Sequence, residues 1–229
     1  MDIKHKIETV KERIERAARR AGRNPAGIKL VAVSKTVDAE RVRSAFAAGQ
    51  TIFGENYIQE AREKLEALPD IFASWHFIGH LQSNKAKYAV RMFDLIHTVD
   101  SDKLAFALNE AAAKVGKVQD LLVQVNISME TTKSGVKAED TAALIQKISA
   151  CPYLSIKGLM TMPPFFDDPD AARPYFKALR LLAGQIRSLK IPGVSMDALS
   201  MGMTGDFEAA VEEGATLVRV GTAIFGERA

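Results

Sequence analysis

Residues 2 to 21 place Ile3, Ile7, Val10, Ile14 and Ala17 at alternating steps of four and three. That spacing draws one apolar stripe along a helix, with Lys, Arg and Glu on the other faces. Gly22 and Asn24-Pro25 stop it. Its basic end, "RAARRAGR", reads as a solvated face, with phosphate contact as the alternative.

After residue 28 the pattern changes to short apolar runs. Strands are predicted at 29–34, 51–55, 75–79, 94–99, 120–127, 154–160, 196–201 and 217–221. Helical periodicity fills the gaps. Leu104, Leu108, Ala111 and Val115 share one face over 102–115, and Phe176, Leu179, Ala183, Ile186 and Leu189 share one over 170–189. Further helices are expected at 39–48, 57–67, 84–92, 138–149 and 205–213. Several strands are near-continuous apolar runs, as in a parallel sheet covered on both faces. Eight strands alternating with helices in 229 residues predict a (β/α)8 barrel with an extra N-terminal helix. A doubly wound open sheet is the rival, but its Gly-rich first turn is missing from "AVSKTV". No linker or low-complexity run divides the chain, so residues 1–229 are expected to form a single domain.

Composition removes several classes. Hydrophobic residues make up 47% and charged residues 26%, an ordinary soluble balance. A net charge of +3 gives no argument for a nucleic acid or an anionic membrane. Cys151 is the single cysteine, so no intrachain disulfide can form. The N-terminus "MDIKHKIETVKER" carries charges where a signal peptide needs an apolar core. No apolar run approaches the ~20 residues of a membrane helix. The expected location is the cytoplasm.

The candidate chemistry begins at Lys35, at the carboxyl end of the first strand, where a barrel carries its active site. A desolvated lysine there is a nucleophile toward carbonyls and forms Schiff bases. The alternative is a solvated lysine opening the first barrel helix. The loops after the seventh and eighth strands are the usual phosphate-binding place of this fold. Ser200 offers a hydroxyl there, Gly202 a close backbone approach, and Thr204-Gly205 and Gly221-Thr222 open helices. The alternative is ordinary turn chemistry. Arg219, within "LVRVG", keeps its charge and needs a partner if it faces inward. Facing a pyridine, it can donate to the ring nitrogen and keep the ring a poor electron sink.

A lysine for an aldehyde, a phosphate cradle and an arginine for a ring nitrogen together suggest pyridoxal 5′-phosphate (PLP). The segments "AVSKT", "FGENYIQE", "WHFIGHLQSNK", "VNISMETTKSG" and "LSMGMTGDFEAAVEEGATLVRVGTAIFG", which span nearly the whole chain, resemble the pyridoxal phosphate homeostasis proteins, the YggS-like family. Those are single barrels related to the N-terminal barrel of alanine racemase. The resemblance implies Lys35 as the Schiff-base lysine and Arg219 as the partner of the pyridine nitrogen. It implies Ser200, Gly221 and Thr222, with backbone near Met201 and Gly202, as phosphate ligands. Asn56 would lie beside the cofactor, and His80 and Asn84 at the mouth. Lys133 matches the family pattern, while Val37 stands where the family often has a second basic residue.

The expected function is intracellular PLP homeostasis, by buffering or delivery, without robust catalysis. Arg219 limits the electron sink, and the second domain that supplies alanine racemase with a tyrosine base has no counterpart. PLP-dependent apoenzymes are possible recipients, and a monomer is expected. The alternative is a weak or narrow PLP-dependent amino-acid racemase with Lys35 as one base; a third reading is an interaction module that binds no cofactor. Zinc at His76 and His80 is set aside because "WHFIGH" reads as strand then loop. No partner is identifiable for His5 or His97. No G-x-S-x-G elbow and no G-x-x-x-x-G-K-[ST] loop is present. Trp75 and the phenylalanines are expected in the core.

Overall fold

The computed structural model describes residues 2–128, 130 and 134–227. Helix α1 (Ile3–Arg20) comes first. Asp2 caps it by accepting from the His5 N–H at 2.8 Å, and Ile7, Val10, Ile14 and Ala17 are buried along the expected stripe.

Eight parallel strands then alternate with helices. They are β1 (Lys29–Val33), β2 (Ile52–Glu55), β3 (Ser74–Phe77), β4 (Leu95–Val99), β5 (Gln119–Asn126), β6 (Leu154–Met160), β7 (Val194–Ser200) and β8 (Leu217–Val220). The helices are α2 (Ala39–Ala47), α3 (Ile58–Ala67), α4 (Ala86–Met92), α5 (Asp102–Lys114), α6 (Thr141–Ser149), α7 (Arg173–Ser188), α8 (Phe207–Glu212) and α9 (Thr222–Phe225). The sheet runs β4-β3-β2-β1-β8-β7-β6-β5, and a β4–β5 pairing closes it into a barrel. This is the expected (β/α)8 fold. A two-residue bridge at Val136–Lys137 pairs with the end of β5.

Two apolar layers hold the barrel. The larger packs the outward strand faces against the helices and includes Phe53, Phe77, Ile96, Phe176 and Val218. The smaller fills the barrel interior with Val31, Leu122, Met160 and Leu217, flanked by Ile52, Leu95 and Ala198. Side chains alternate along a strand. The next inward positions are therefore Val33, Gly54, His97, Gln124, Ser200 and Arg219. The interior is apolar below and polar above.

Some sequence expectations need correction. Trp75 is buried, but Phe72, Phe106 and Phe165 are exposed; they stand on no strand and escape the strand-spacing argument. Leu189 lies one residue past α7 and is exposed, and Val115, at the C-cap of α5, is partly so. Periodicity also missed α9, which is a single turn and too short to show a period. No helix among the described residues is long and apolar enough to cross a membrane.

Candidate functional site

The carboxyl ends of β1, β2, β3, β6, β7 and β8 surround a cleft of about 660 Å³. Lys35, Asn56, Arg219, Gly221 and Thr222 all line it. Lys35 is half-buried there, two residues beyond Val33. Ser200, Met201 and Gly202 do not line the cleft; they are buried behind it. Lys133 lies outside the described residues.

The backbone around Lys35 is held from both sides by charged side chains of β2 and α3. Glu55, at the end of β2, is fully buried and accepts from Ser34 Oγ at 2.6 Å and from Lys64 Nζ at 2.8 Å. Lys64 also donates to the Ser34 carbonyl and, at 2.6 Å, to Glu60. Glu60 in turn accepts from the Thr36 N–H. Thr36 takes a left-handed conformation, φ 61°, which a β-branched residue adopts only under constraint. The cluster thus fixes the residues before and after Lys35. Burial raises the Glu55 carboxyl above its usual range, against the opposing pull of Lys64 and Ser34. Sequence reading missed Glu55, Lys64 and Glu60. A buried lysine at the second turn of a surface helix leaves no signature except its i,i+4 spacing from Glu60.

Arg219 faces inward and is 3% exposed, so the outward-facing alternative is excluded. Its Nη1 donates to Ser200 Oγ and its Nη2 to the Thr161 carbonyl at 3.0 Å. Burial pushes its pKa down to about 10, and Asp206 opposes the shift. It therefore keeps its charge at neutral pH. Asp206, also lining the cleft, has its own carboxyl raised by burial; its Oδ1 accepts from the Met203 N–H at 2.6 Å. The Arg219 N–H donates to the Gly202 carbonyl at 3.0 Å. Gly202 has φ +91°, and a Cβ there would meet Ala210 Cβ at 2.5 Å. Its missing side chain serves the packing of α8.

His97 has partners after all. Its Nδ1 is 2.8 Å from Ser200 Oγ, and its Nε2 is 3.0 Å from His76 Nδ1. Both rings are buried. Burial lowers the pKa of His76 to about 4 and that of His97 well below the usual histidine value, so both are neutral at physiological pH.

Asn56 is fixed by close approach. A Cβ on Gly79 would sit 2.1 Å from the Asn56 carbonyl oxygen. Gly79→Ala is therefore expected to displace Asn56 and to cost about 1–3 kcal/mol, read by urea unfolding. Asn56 Oδ1 is buried and has no hydrogen-bond partner among the described residues. Val37 is buried and also lines the cleft, so the position that is often basic in the resembling family is apolar here. His80 lines a neighbouring cleft that shares Asn56, together with Tyr57, Arg62 and Lys85. Asn84 is exposed and lines neither cleft.

The profile of the alanine racemase N-terminal domain matches residues 6–229. A pyridoxal phosphate homeostasis protein of Aquifex aeolicus is 43% identical over 228 residues, covering 100% of this chain and 99% of that one. The protein of the same name from Escherichia coli K12 is 40% identical over 230 residues, 99% and 97% of the two chains. Among solved structures, PipY of Synechococcus elongatus with PLP bound superposes with a TM-score of 0.82 at 38% identity, covering 93% of this chain and all of PipY. Alanine racemase of Clostridium difficile shares the fold, with a TM-score of 0.72 at 17% identity over 57% of its length. The chain belongs to the alanine racemase N-terminal domain family and, within it, to the pyridoxal phosphate homeostasis proteins.

Proposed function

We propose that this chain binds PLP in the cleft at the barrel mouth, attached to Lys35 as a Schiff base, and buffers or delivers it inside the cell without robust turnover. The observation that carries this reading is the convergence of Lys35 and the buried Arg219 on one cleft.

The residues suit the cofactor. Lys35 offers an amine at the end of a strand whose flanking residues are clamped. Arg219 spends two of its five N–H groups on Ser200 and Thr161, and the rest can face a ring nitrogen. Asn56 Oδ1 supplies an unused acceptor. Gly221 and Thr222, opening α9, and Thr204-Gly205, before α8, offer backbone N–H groups to a phosphate. Ser200, Met201 and Gly202 support Arg219 and its strand from behind.

Bound PLP supplies an aldehyde for amines and a pyridine ring able to draw electrons from the attached carbon. Arg219 tunes that ability downward. An arginine donates its proton without surrendering it, so the ring nitrogen stays unprotonated and the ring remains a weak electron sink. This favours holding over turnover and disfavours the racemase alternative. Among PLP-dependent apoenzymes, recipients would take the cofactor through their own lysines.

The test is borohydride reduction of PLP-loaded protein followed by peptide mapping. Reduction turns the imine into a stable secondary amine. The expected result is a pyridoxyl-phosphate mass on the peptide containing Lys35. Its absence from that peptide after loading would reject the reading. Incubation of the loaded protein with single L-amino acids should yield no D-isomer at the ~1 per second of an ordinary enzyme.

A further inference from the structure

We propose that His97 and His76 are positioning residues for Arg219, acting through Ser200 as a one-way chain of hydrogen bonds that holds the guanidinium toward the cleft. This rests on the proposed PLP site, since the contact being positioned is the one Arg219 makes with the ring.

The four side chains reach one another inside the barrel from β8, β7, β4 and β3. Arg219 Nη1 meets Ser200 Oγ, Ser200 Oγ meets His97 Nδ1 at 2.8 Å, and His97 Nε2 meets His76 Nδ1 at 3.0 Å. Their residues are between 0% and 5% exposed. Two nearly inaccessible neutral imidazoles in a barrel interior need a reason, because leaving a buried polar group unpaired is costly.

The direction of the chain follows from donor inventory. A guanidinium has no acceptor, so Arg219 can only donate to Ser200. Ser200 Oγ is fully buried, and its other neighbour in the chain is His97 Nδ1. Donating its proton there satisfies the hydroxyl. If His97 Nδ1 donated instead, the Ser200 proton would be left without an acceptor in a dry interior. His97 Nδ1 therefore accepts. A neutral ring that accepts at Nδ1 carries its proton on Nε2, which donates to His76 Nδ1. His76 then carries its own proton on Nε2. Every bond donates away from Arg219, and bonds in such a series strengthen one another. The Ser200 oxygen becomes a better acceptor by donating its O–H in a hydrogen bond, and so pins Nη1. The Thr161 carbonyl pins Nη2 at 3.0 Å. Two anchors fix the plane of the guanidinium. Burial keeps both rings neutral, as the chain requires.

The test has two arms. Long-range proton–nitrogen NMR of histidine-labelled protein, with and without PLP, reads the tautomers directly. Both His97 and His76 should carry the proton on Nε2 and leave Nδ1 bare. A proton on His97 Nδ1 overturns the proposal, whatever the variants do. The second arm compares His97→Phe with His97→Asn, whose amide oxygen can still accept from Ser200. His97→Phe should weaken PLP binding about tenfold, the scale of one charge-assisted hydrogen bond, and displace the absorption band of bound PLP. His97→Asn should stay within about threefold of wild type and keep the wild-type band. A folded His97→Phe protein with wild-type affinity and spectrum also overturns the proposal. If His97→Phe does not fold, the tautomers alone decide. Failure of wild-type protein to bind any PLP is a different result: it removes the proposed function, and this inference with it.

Discussion

Lys64→Met should cost the fold about 3–5 kcal/mol, measured by urea unfolding at pH 7.5, because it strands a buried charge. Lys64 is 6% exposed, and Glu55, its partner at 2.8 Å, is fully buried. Without the ammonium, Glu55 keeps only the Ser34 hydroxyl, and its Oε2 already lacks a hydrogen-bond partner among the described residues. The loss should depend on pH in a direction set by the Glu55 carboxyl. Its pKa is raised in the folded protein, chiefly by burial, while Lys64 lowers it. A raised carboxyl binds its proton more tightly folded than unfolded, so stability falls as pH rises from the unfolded pKa through the folded one. Removing Lys64 raises the folded value further. The variant should therefore lie closest to wild type below the unfolded carboxyl pKa, where Glu55 is protonated in both states. It should fall furthest behind above neutrality. A variant equally destabilised at acid and alkaline pH would mean that the loss is packing rather than charge.

Lys35→Ala is expected to act in the opposite way, on the ligand and not on the fold. Lys35 is half-buried at the rim of the cleft, and truncation there should change apoprotein stability by less than about 1 kcal/mol. The proposed covalent bond disappears. The dissociation constant for PLP should rise on the order of 100-fold, about 2.7 kcal/mol. Arg219, Asn56 and the backbone at Gly221 and Thr222 would still hold ring and phosphate. Equilibrium dialysis gives the affinity, and borohydride reduction gives the loss of adduct at position 35. Wild-type affinity in Lys35→Ala would show that the lysine is not the anchor. Together the two variants should separate, Lys64→Met acting on the frame and Lys35→Ala on the proposed occupant.

Much of this was legible from the chain. Strand parity carries the information. Along β1 the inward positions run Val31, Val33 and then Lys35; along β8 they run Leu217, Arg219 and then Gly221. An apolar strand whose alternate positions end in a lysine or an arginine points chemistry into a barrel mouth, and the sequence displays that pattern openly. The eight strands were legible for the same reason: buried parallel strands are apolar on both faces. What stayed hidden depends on contacts between distant segments. His97 and Ser200 are 103 residues apart. Each reads singly as an unremarkable polar residue, so neither histidine could be paired from spacing. Gly202 was expected to admit an anion, and the space its missing Cβ leaves is taken by Ala210 of α8. A glycine in sequence reports a need for space or for positive φ, and does not say which neighbour takes the space. The exposed Phe72 and Phe165 sit in loops, where hydrophobicity has no period to betray its direction.

Helix α1 packs against α8 and α9, the two helices that follow the last barrel strands. Arg13 reaches Glu208 at 2.7 Å across 195 residues, Arg20 meets Glu212 at 2.8 Å, and β1 pairs with β8 along four residues. The earliest part of the chain is thus stitched to some of the latest. On a ribosome, α1 and β1 emerge long before their partners exist, and the barrel cannot close until β8 is released. Contacts of such long sequence separation make folding slow and concentrate it in a late, all-or-none step. The cleft shares that seam, with Lys35 on one side and Arg219 on the other. A chain that stops before β8 therefore lacks Arg219 and its side of the cleft, and the whole cleft exists only once the barrel has closed.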